Sequence, residues 1–134
     1  MRNIWTALVV IGISSTALGW KTQDEAATPE YYTAKVKPIL ESNCYKCHGG
    51  ENHRGGLSII TREALLKGGH HGTAIVSGDP EKSLLFKLIQ HVGPADDPMP
   101  MPPPPRTKLS DQDIVIVEHW IKAGAVMPED APKP

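Results

Sequence analysis

Five consecutive residues, Cys44-Tyr45-Lys46-Cys47-His48, could carry out the most specific chemistry in this sequence. The spacing C-x-x-C-H is typical of c-type haem attachment, in which two thiols form thioethers with the vinyl groups of one porphyrin. The histidine after the second thiol is then placed to bind the iron as its proximal ligand. The 134-residue chain has no other cysteine. The motif therefore predicts one covalently attached haem c, held by Cys44 and Cys47 with His48 on the iron.

Three other interpretations of the motif stay open. A structural zinc site needs about four Cys or His ligands in paired clusters, and no zinc-finger spacing links the motif to the remaining histidines. Those histidines are His53, His70, His71, His91 and His119. A thioredoxin-like pair would follow a strand, whereas this motif follows a helical stretch. A disulfide between Cys44 and Cys47 is the third alternative, and it leaves His48 unexplained.

Two methionines are candidates for the second axial ligand of the iron. A thioether sulfur opposite histidine raises the reduction potential and suits reversible electron transfer. Met99 and Met101 lie in residues 93–105, a segment with seven prolines. Prolines restrict the backbone, so less entropy is lost when a ligand loop becomes ordered. The alternative is that both methionines are exposed in a disordered linker. Met127 follows the last predicted helix and is a poor candidate.

Residues 1–19 have the pattern of an export signal. Arg2 precedes an apolar run from residue 4 to residue 13, and small residues at positions 17 and 19 suit cleavage by a signal peptidase. The run is shorter than the about 20 residues of a membrane span, although an uncleaved anchor is the alternative. Covalent haem attachment in bacteria takes place outside the cytoplasm. We therefore expect a periplasmic or otherwise exported protein.

The composition of the remaining chain suits one small domain with a modest core. Removal of the signal leaves about 115 residues, and the whole sequence has one phenylalanine and three tyrosines. We expect a buried porphyrin to complete this interior. The formal net charge is −1, and it becomes −2 without Arg2. This charge is too small to indicate a nucleic-acid partner or an anionic membrane surface.

Helix-start signals precede four segments and predict a mostly helical chain. The four predicted N-cap residues are Thr28, Thr61, Asp79 and Ser110. Pro38 predicts a kink or break in the first helix. The segment after Asp79 is predicted to continue as one helix to His91, with Val92 on its apolar face. Gly124 is predicted to end the last helix.

Residues from about 30 to 125 resemble the planctomycete-type cytochrome c domain, a branch related to class I cytochromes c. The matching stretches are 36–40 (VKPIL), 44–49 (CYKCHG), 55–58 (GGLS), 61–64 (TREA), 78–83 (GDPEKS), 101–103 (MPP) and 120–125 (WIKAGA). They follow one another in the family's order and cover most of the mature chain. The resemblance implies an all-α, small class I-like cytochrome c fold, in which helices and long loops wrap around one covalent haem.

The resemblance also implies the haem-binding residues. The family has its axial methionine in the Met-Pro-Pro unit, which corresponds to Met101, whereas Met99 is an additional copy. Cys44, Cys47, His48 and Met101 are therefore implied to bind the haem, with His48 and Met101 as iron ligands and no catalytic residue. The expected organisation is a signal peptide (1–19), a leader (20–29), the cytochrome c domain (30–126) and a flexible tail (127–134).

The expected function is transfer of single electrons between exported or membrane-bound redox partners by a monomeric protein. Contact with the donor and acceptor would be transient and would bury under roughly 1,200 Å². The principal alternative is a five-coordinate haem enzyme or small-ligand sensor, in which His53 or Arg54 could face an open iron position. A further alternative is an exported binding module without haem, stabilised by a Cys44–Cys47 disulfide.

Overall fold

Five helices form the regular structure of residues 24–129, the part of the chain described by the computed structural model. This part contains no strand, and its one isolated backbone bridge pairs Gly69 with Gly72. The predicted all-α fold is therefore confirmed. Within the same residues, no helix is long and apolar enough to cross a membrane. The predicted signal peptide and residues 130–134 of the predicted tail lie outside the described residues.

The helices are short, and long irregular segments connect them. Helix α1 covers residues 29–43 as three consecutive segments, Pro29–Tyr31, Tyr32–Val36 and Lys37–Asn43. The other helices are α2 (Tyr45–His48), α3 (Arg62–Lys67), α4 (Leu84–Ile89) and α5 (Asp111–Lys122). Single 3-10 turns lie at Glu25–Ala27, Arg54–Gly56 and Pro80–Lys82.

Hydroxyl side chains cap three of the helices, as the sequence predicts. Each hydroxyl accepts a hydrogen bond of 3.1–3.2 Å from the backbone N–H three residues later, which satisfies a donor that has no partner within the helix. The pairs are Thr28 with Tyr31, Thr61 with Ala64, and Ser110 with Asp113. Gly124 follows the last residues of α5 with a φ of 107°, a conformation that favours glycine.

Pro38 is accommodated in α1 by a change of helix type. The segment Tyr32–Val36 before it is a π-helix, and the N–H of Lys37 bonds to the carbonyl of Tyr32 five residues earlier. A proline ring collides with the carbonyl four residues before it and donates no hydrogen bond. The wider π turn keeps the chain helical around this position, so α1 continues to the haem motif instead of ending there.

The helix predicted from Asp79 to His91 is shorter than expected. Asp79 caps only the 3-10 turn, and α4 begins after Ser83. The Ser83 side chain is fully buried. Its hydroxyl donates to the carbonyl of Asp79 at 2.8 Å and accepts from the N–H of Val76 at 2.9 Å. These bonds stabilise a non-helical backbone at Ser83, which is how serine competes with helix formation.

The same helix also ends earlier than predicted. His91 has a φ of 62°, which a right-handed helix does not allow. The chain therefore turns away after Ile89, and Val92 is 60% exposed instead of lying on the apolar face of α4.

The core is formed by buried side chains of α1, α3, α4 and α5, together with side chains of the segments between and after these helices. The Trp120 side chain is fully buried, and its ring centroid is 5.5 Å from that of Tyr32. The indole N–H donates to the carbonyl of Val126 at 2.7 Å, so the chain after α5 folds back over the helix. Met127, which we placed in the flexible tail, is only 6% exposed and belongs to this core. Ala26 of the predicted leader is also buried.

Candidate functional site

The haem-attachment motif is one turn of helix that begins directly after α1. The carbonyl of Cys44 accepts hydrogen bonds from the N–H groups of Cys47 at 3.1 Å and His48 at 3.0 Å. Residues three and four positions apart lie on the same face of a helix. The C-x-x-C-H spacing therefore directs Cys44, Cys47 and His48 to one side of α2, where all three line a single cavity.

The cavity has a volume of about 300 Å³ and a mainly apolar wall. This volume lies within the range of about 300–1,000 Å³ that is usual for small-molecule sites. Outside the motif and the methionine segment, the apolar side chains of the wall are Leu57, Ile59, Ala74, Leu84, Leu85, Leu88 and Ile89. The polar side chains there are Asn43, Arg54, His71 and Arg106. A wall of this composition suits an apolar ligand with a few charged groups.

Both methionines of the proline-rich segment line the same cavity as the motif. Each is partly buried, so neither is an exposed linker residue. The N–H of Met101 donates to the carbonyl of Leu88 at 3.0 Å, which fastens this residue to the end of α4. Met99 instead has a φ of 34°, which is uncommon for any residue with a side chain.

Two glycine pairs, residues 55–56 and 68–69, lie close together at another part of the cavity wall. Gly55 and Gly69 both line the cavity, and the N–H of His70 donates to the carbonyl of Gly55 at 2.7 Å. A Cβ atom on Gly69 would collide with that same carbonyl. Glycine at position 69 therefore allows the two loops to approach closely enough to close this wall.

The geometry agrees with the comparison of the sequence with protein families. The family model described as Planctomycete cytochrome C matches residues 44–105, from the first cysteine of the motif to the last proline of the methionine segment. The match covers a little under half of the chain and shows that this part is similar to the planctomycete cytochromes c. The similarity suggests a c-type cytochrome, a class that implies covalently bound haem. No curated protein and no solved structure matches the chain.

The residues around the cavity fit a haem. Cys44 and Cys47 are free thiols at the cavity surface. Burial lowers the pKa of His48 and favours the neutral imidazole that metals bind, although backbone groups of Leu57 and Arg54 oppose the shift. Its Nδ1 atom is buried without a hydrogen-bond partner in the described structure. The cavity is therefore lined by two cysteines, one histidine and two methionines within a mainly apolar wall.

The structure also bears on the other interpretations of the motif. Burial raises the pKa of the Cys44 thiol to about 11, and the positive charge of Arg106 opposes this rise only in part. Redox-active cysteines of thioredoxin-like motifs have a lowered pKa instead. In residues 24–129, no three His, Cys, Asp or Glu side chains are grouped as a metal site would require. Of the histidines outside the motif, only His71 lines the cavity.

The sequence did not point to Arg106 as a residue of the site. Its guanidinium donates to the carbonyls of Ser42 and Asn43, both at 2.9 Å, and it lines the cavity beside the motif. These partners are backbone atoms 63 and 64 residues away along the chain. No local spacing could have revealed the contact, because it exists only after the proline-rich segment has folded against α1.

Proposed function

We propose that this protein carries single electrons and binds one haem c through Cys44, Cys47, His48 and Met101. One observation carries the proposal: a single, mainly apolar cavity is lined by both cysteines and the histidine of the C-x-x-C-H motif and by both methionines of the proline-rich segment. Because the sequence has two cysteines and each attached haem c uses two, the chain would attach one haem. A bound haem would supply an iron that changes between the ferric and ferrous states.

Each protein residue then has a separate role. Cys44 and Cys47 would hold the porphyrin by thioether bonds, and His48 would bind the iron from the same helical turn. Met101 would supply the other iron ligand, and a thioether sulfur there would favour the ferrous state and exclude small molecules from the iron. The hydrogen bond from Met101 to Leu88 supports this choice over Met99, because a weak iron–sulfur bond requires an anchored ligand. The aliphatic wall excludes water and further raises the potential.

The partners and location follow from this chemistry as further parts of the proposal. An electron carrier exchanges electrons through an exposed haem edge, so contacts with its donor and acceptor are small and transient, under roughly 1,200 Å². The protein acts as a monomer outside the cytoplasm, where covalent haem attachment takes place in bacteria. The apolar segment near the N-terminus supports export.

Expression in a host that attaches haem outside the cytoplasm tests the proposal. Intact mass spectrometry should show the polypeptide plus one haem, and redox titration should show one reversible one-electron step. The ferric spectrum should contain the long-wavelength charge-transfer band of a sulfur–iron bond, and the ferrous protein should bind carbon monoxide poorly. A mass equal to that of the bare polypeptide contradicts haem attachment.

A five-coordinate haem enzyme or sensor is the second candidate, and the presence of His71 in the cavity wall favours it. An imidazole there could contact a small ligand on an open iron. The same spectra distinguish the two functions, because an open iron gives no sulfur–iron band and binds carbon monoxide rapidly.

A further inference from the structure

Arg106 connects the two chain segments that carry the proposed iron ligands. Its Nη1 atom donates to the carbonyl of Asn43 and its Nη2 atom to that of Ser42, both at 2.9 Å. These carbonyls end helix α1 directly before Cys44, the first residue of the motif. Carbonyls at the end of a helix lack intrahelical partners and carry the negative end of the helix dipole. A planar guanidinium can bind two of them at once, which lysine cannot do.

The segment that Arg106 holds is the one that contains Met101. The N–H of Met101 bonds to the carbonyl of Leu88 at one end of residues 101–106, and the Arg106 guanidinium bonds to α1 at the other. Between these ends, Pro102 is buried and Pro103 accepts a hydrogen bond from the N–H of Arg106 at 3.1 Å. The segment is therefore fastened at both ends while its middle lines the cavity.

We propose that Arg106 is a positioning residue for the methionine ligand: it holds residues 101–106 against α1 and thereby keeps the Met101 sulfur on the iron. This inference rests on the proposed function. Without the guanidinium, the hydrogen bond of Met101 and the burial of Pro102 still hold one end of the segment. The end at residue 106 loses its contact with α1, and the weak iron–sulfur bond must then help to order it. Dissociation of the sulfur from the iron should become more frequent, while the haem stays covalently attached to α2.

The haem-loaded protein allows a direct test with Arg106→Gln and Arg106→Lys. Carbon monoxide binding to the ferrous protein reports how often the sulfur leaves the iron. Loss of the two hydrogen bonds should make binding about tenfold faster in Arg106→Gln. As the pH is raised, the sulfur–iron band of the ferric variant should also disappear at a lower pH than the band of the wild type. Arg106→Lys keeps the charge without the two-pronged contact, so it should restore neither property fully.

Arg62 provides a matched control. It makes the same kind of contact at the end of α5, with Nε 2.9 Å from the carbonyl of Ala125 and Nη2 3.0 Å from that of Gly124, but it does not line the cavity. Arg62→Gln should lower the melting temperature without changing carbon monoxide binding or the pH at which the band is lost.

Three results would overturn the inference. Wild-type carbon monoxide binding in Arg106→Gln would show that the contact does not hold the ligand. Equal changes in Arg62→Gln would indicate a general loss of stability, and full restoration by Arg106→Lys would indicate an effect of charge alone. A wild-type protein that lacks the sulfur–iron band contradicts the proposed function itself, and this inference fails with it.

If Arg106→Gln cannot be isolated, the wild type still tests the inference. Proton NMR should show guanidinium protons of Arg106 protected from exchange with solvent, and the protection should be lost at the same pH as the sulfur–iron band. Rapid exchange of these protons while the band persists would contradict it.

Discussion

The two sides of the cavity are built in different ways. The histidine side is helical: α2 follows α1, and α1 packs on α5 through the contact between Tyr32 and the fully buried Trp120. The methionine side has no regular structure from residue 93 to residue 109, and hydrogen bonds from Met101 and Arg106 fasten it to α4 and α1.

This difference shows that the two proposed iron ligands are positioned by different means. The proposed histidine ligand and both cysteines share one turn of helix, so their relative positions follow from local hydrogen bonds and a packed core. The proposed methionine ligand is positioned by a few contacts at the ends of its loop. We therefore expect damage to the histidine side to affect the whole protein, and damage to the methionine side to affect mainly the iron.

The largest expected effect is that of His48→Ala, on the histidine side. The substitution removes the proposed ligand on α2. Among the histidines outside the motif, His71 alone lines the cavity. We expect no stable haem-loaded protein to accumulate, as measured by haem stain and intact mass of exported material. Recovery of a normal six-coordinate protein would show that another residue can replace His48.

Trp120→Ala should weaken the packing of α1 on α5, which supports the histidine side of the cavity. Truncation of a fully buried tryptophan costs about 3–5 kcal/mol, because it leaves a cavity between α1 and α5. Denaturant unfolding of the haem-loaded protein measures this loss. Val115→Ala on the same helix is the control. Because Val115 is 45% exposed, the free energy of unfolding of this variant should differ from that of the wild type by less than about 0.5 kcal/mol.

Met101→Ala should change the iron while the fold persists. Loss of the thioether should lower the reduction potential by roughly a tenth of a volt or more, within the range of about 0.8 V that axial ligands span. The ferrous protein should also bind carbon monoxide. Redox titration and absorption spectra measure both effects, and Met99→Ala is the control that should show neither. The opposite result for the two variants would identify Met99 as the ligand.

Pro103→Gly should have the smallest effect, because it only increases the freedom of the methionine loop. Replacement of a compatible proline by a more flexible residue costs about 0.4–1 kcal/mol. Carbon monoxide binding should therefore become a few-fold faster, with little change in the potential. Pro94→Gly, in the same segment but outside the cavity wall, should leave carbon monoxide binding unchanged. An equal increase in both variants would show that the effect is not local.

The sequence predicted those parts of the site that local geometry determines. Cys47 and His48 lie three and four residues after Cys44, and one helical turn is enough to bring them to the same face as Cys44. The caps at Thr28, Thr61 and Ser110 were also predictable, since a side-chain hydroxyl and an N–H three residues later form the bond by themselves.

Burial against the core decided other features of the fold. The buried hydroxyl of Ser83 shortened α4, although the sequence from Asp79 onward favours a longer helix. Met127 joined the core because the chain after α5 folds back over Trp120. Each of these outcomes depends on burial, which local propensity does not contain.

The amino-acid sequence by itself determined the attachment motif, the helical class of the fold and the two candidate methionines. Only the tertiary structure placed the methionine segment beside the motif, anchored Met101 to α4 and brought Arg106 to the end of α1. The physical reason is the range of the interactions. A helical turn is specified by residues up to four positions apart, whereas the Arg106 contact joins residues 63 and 64 positions apart.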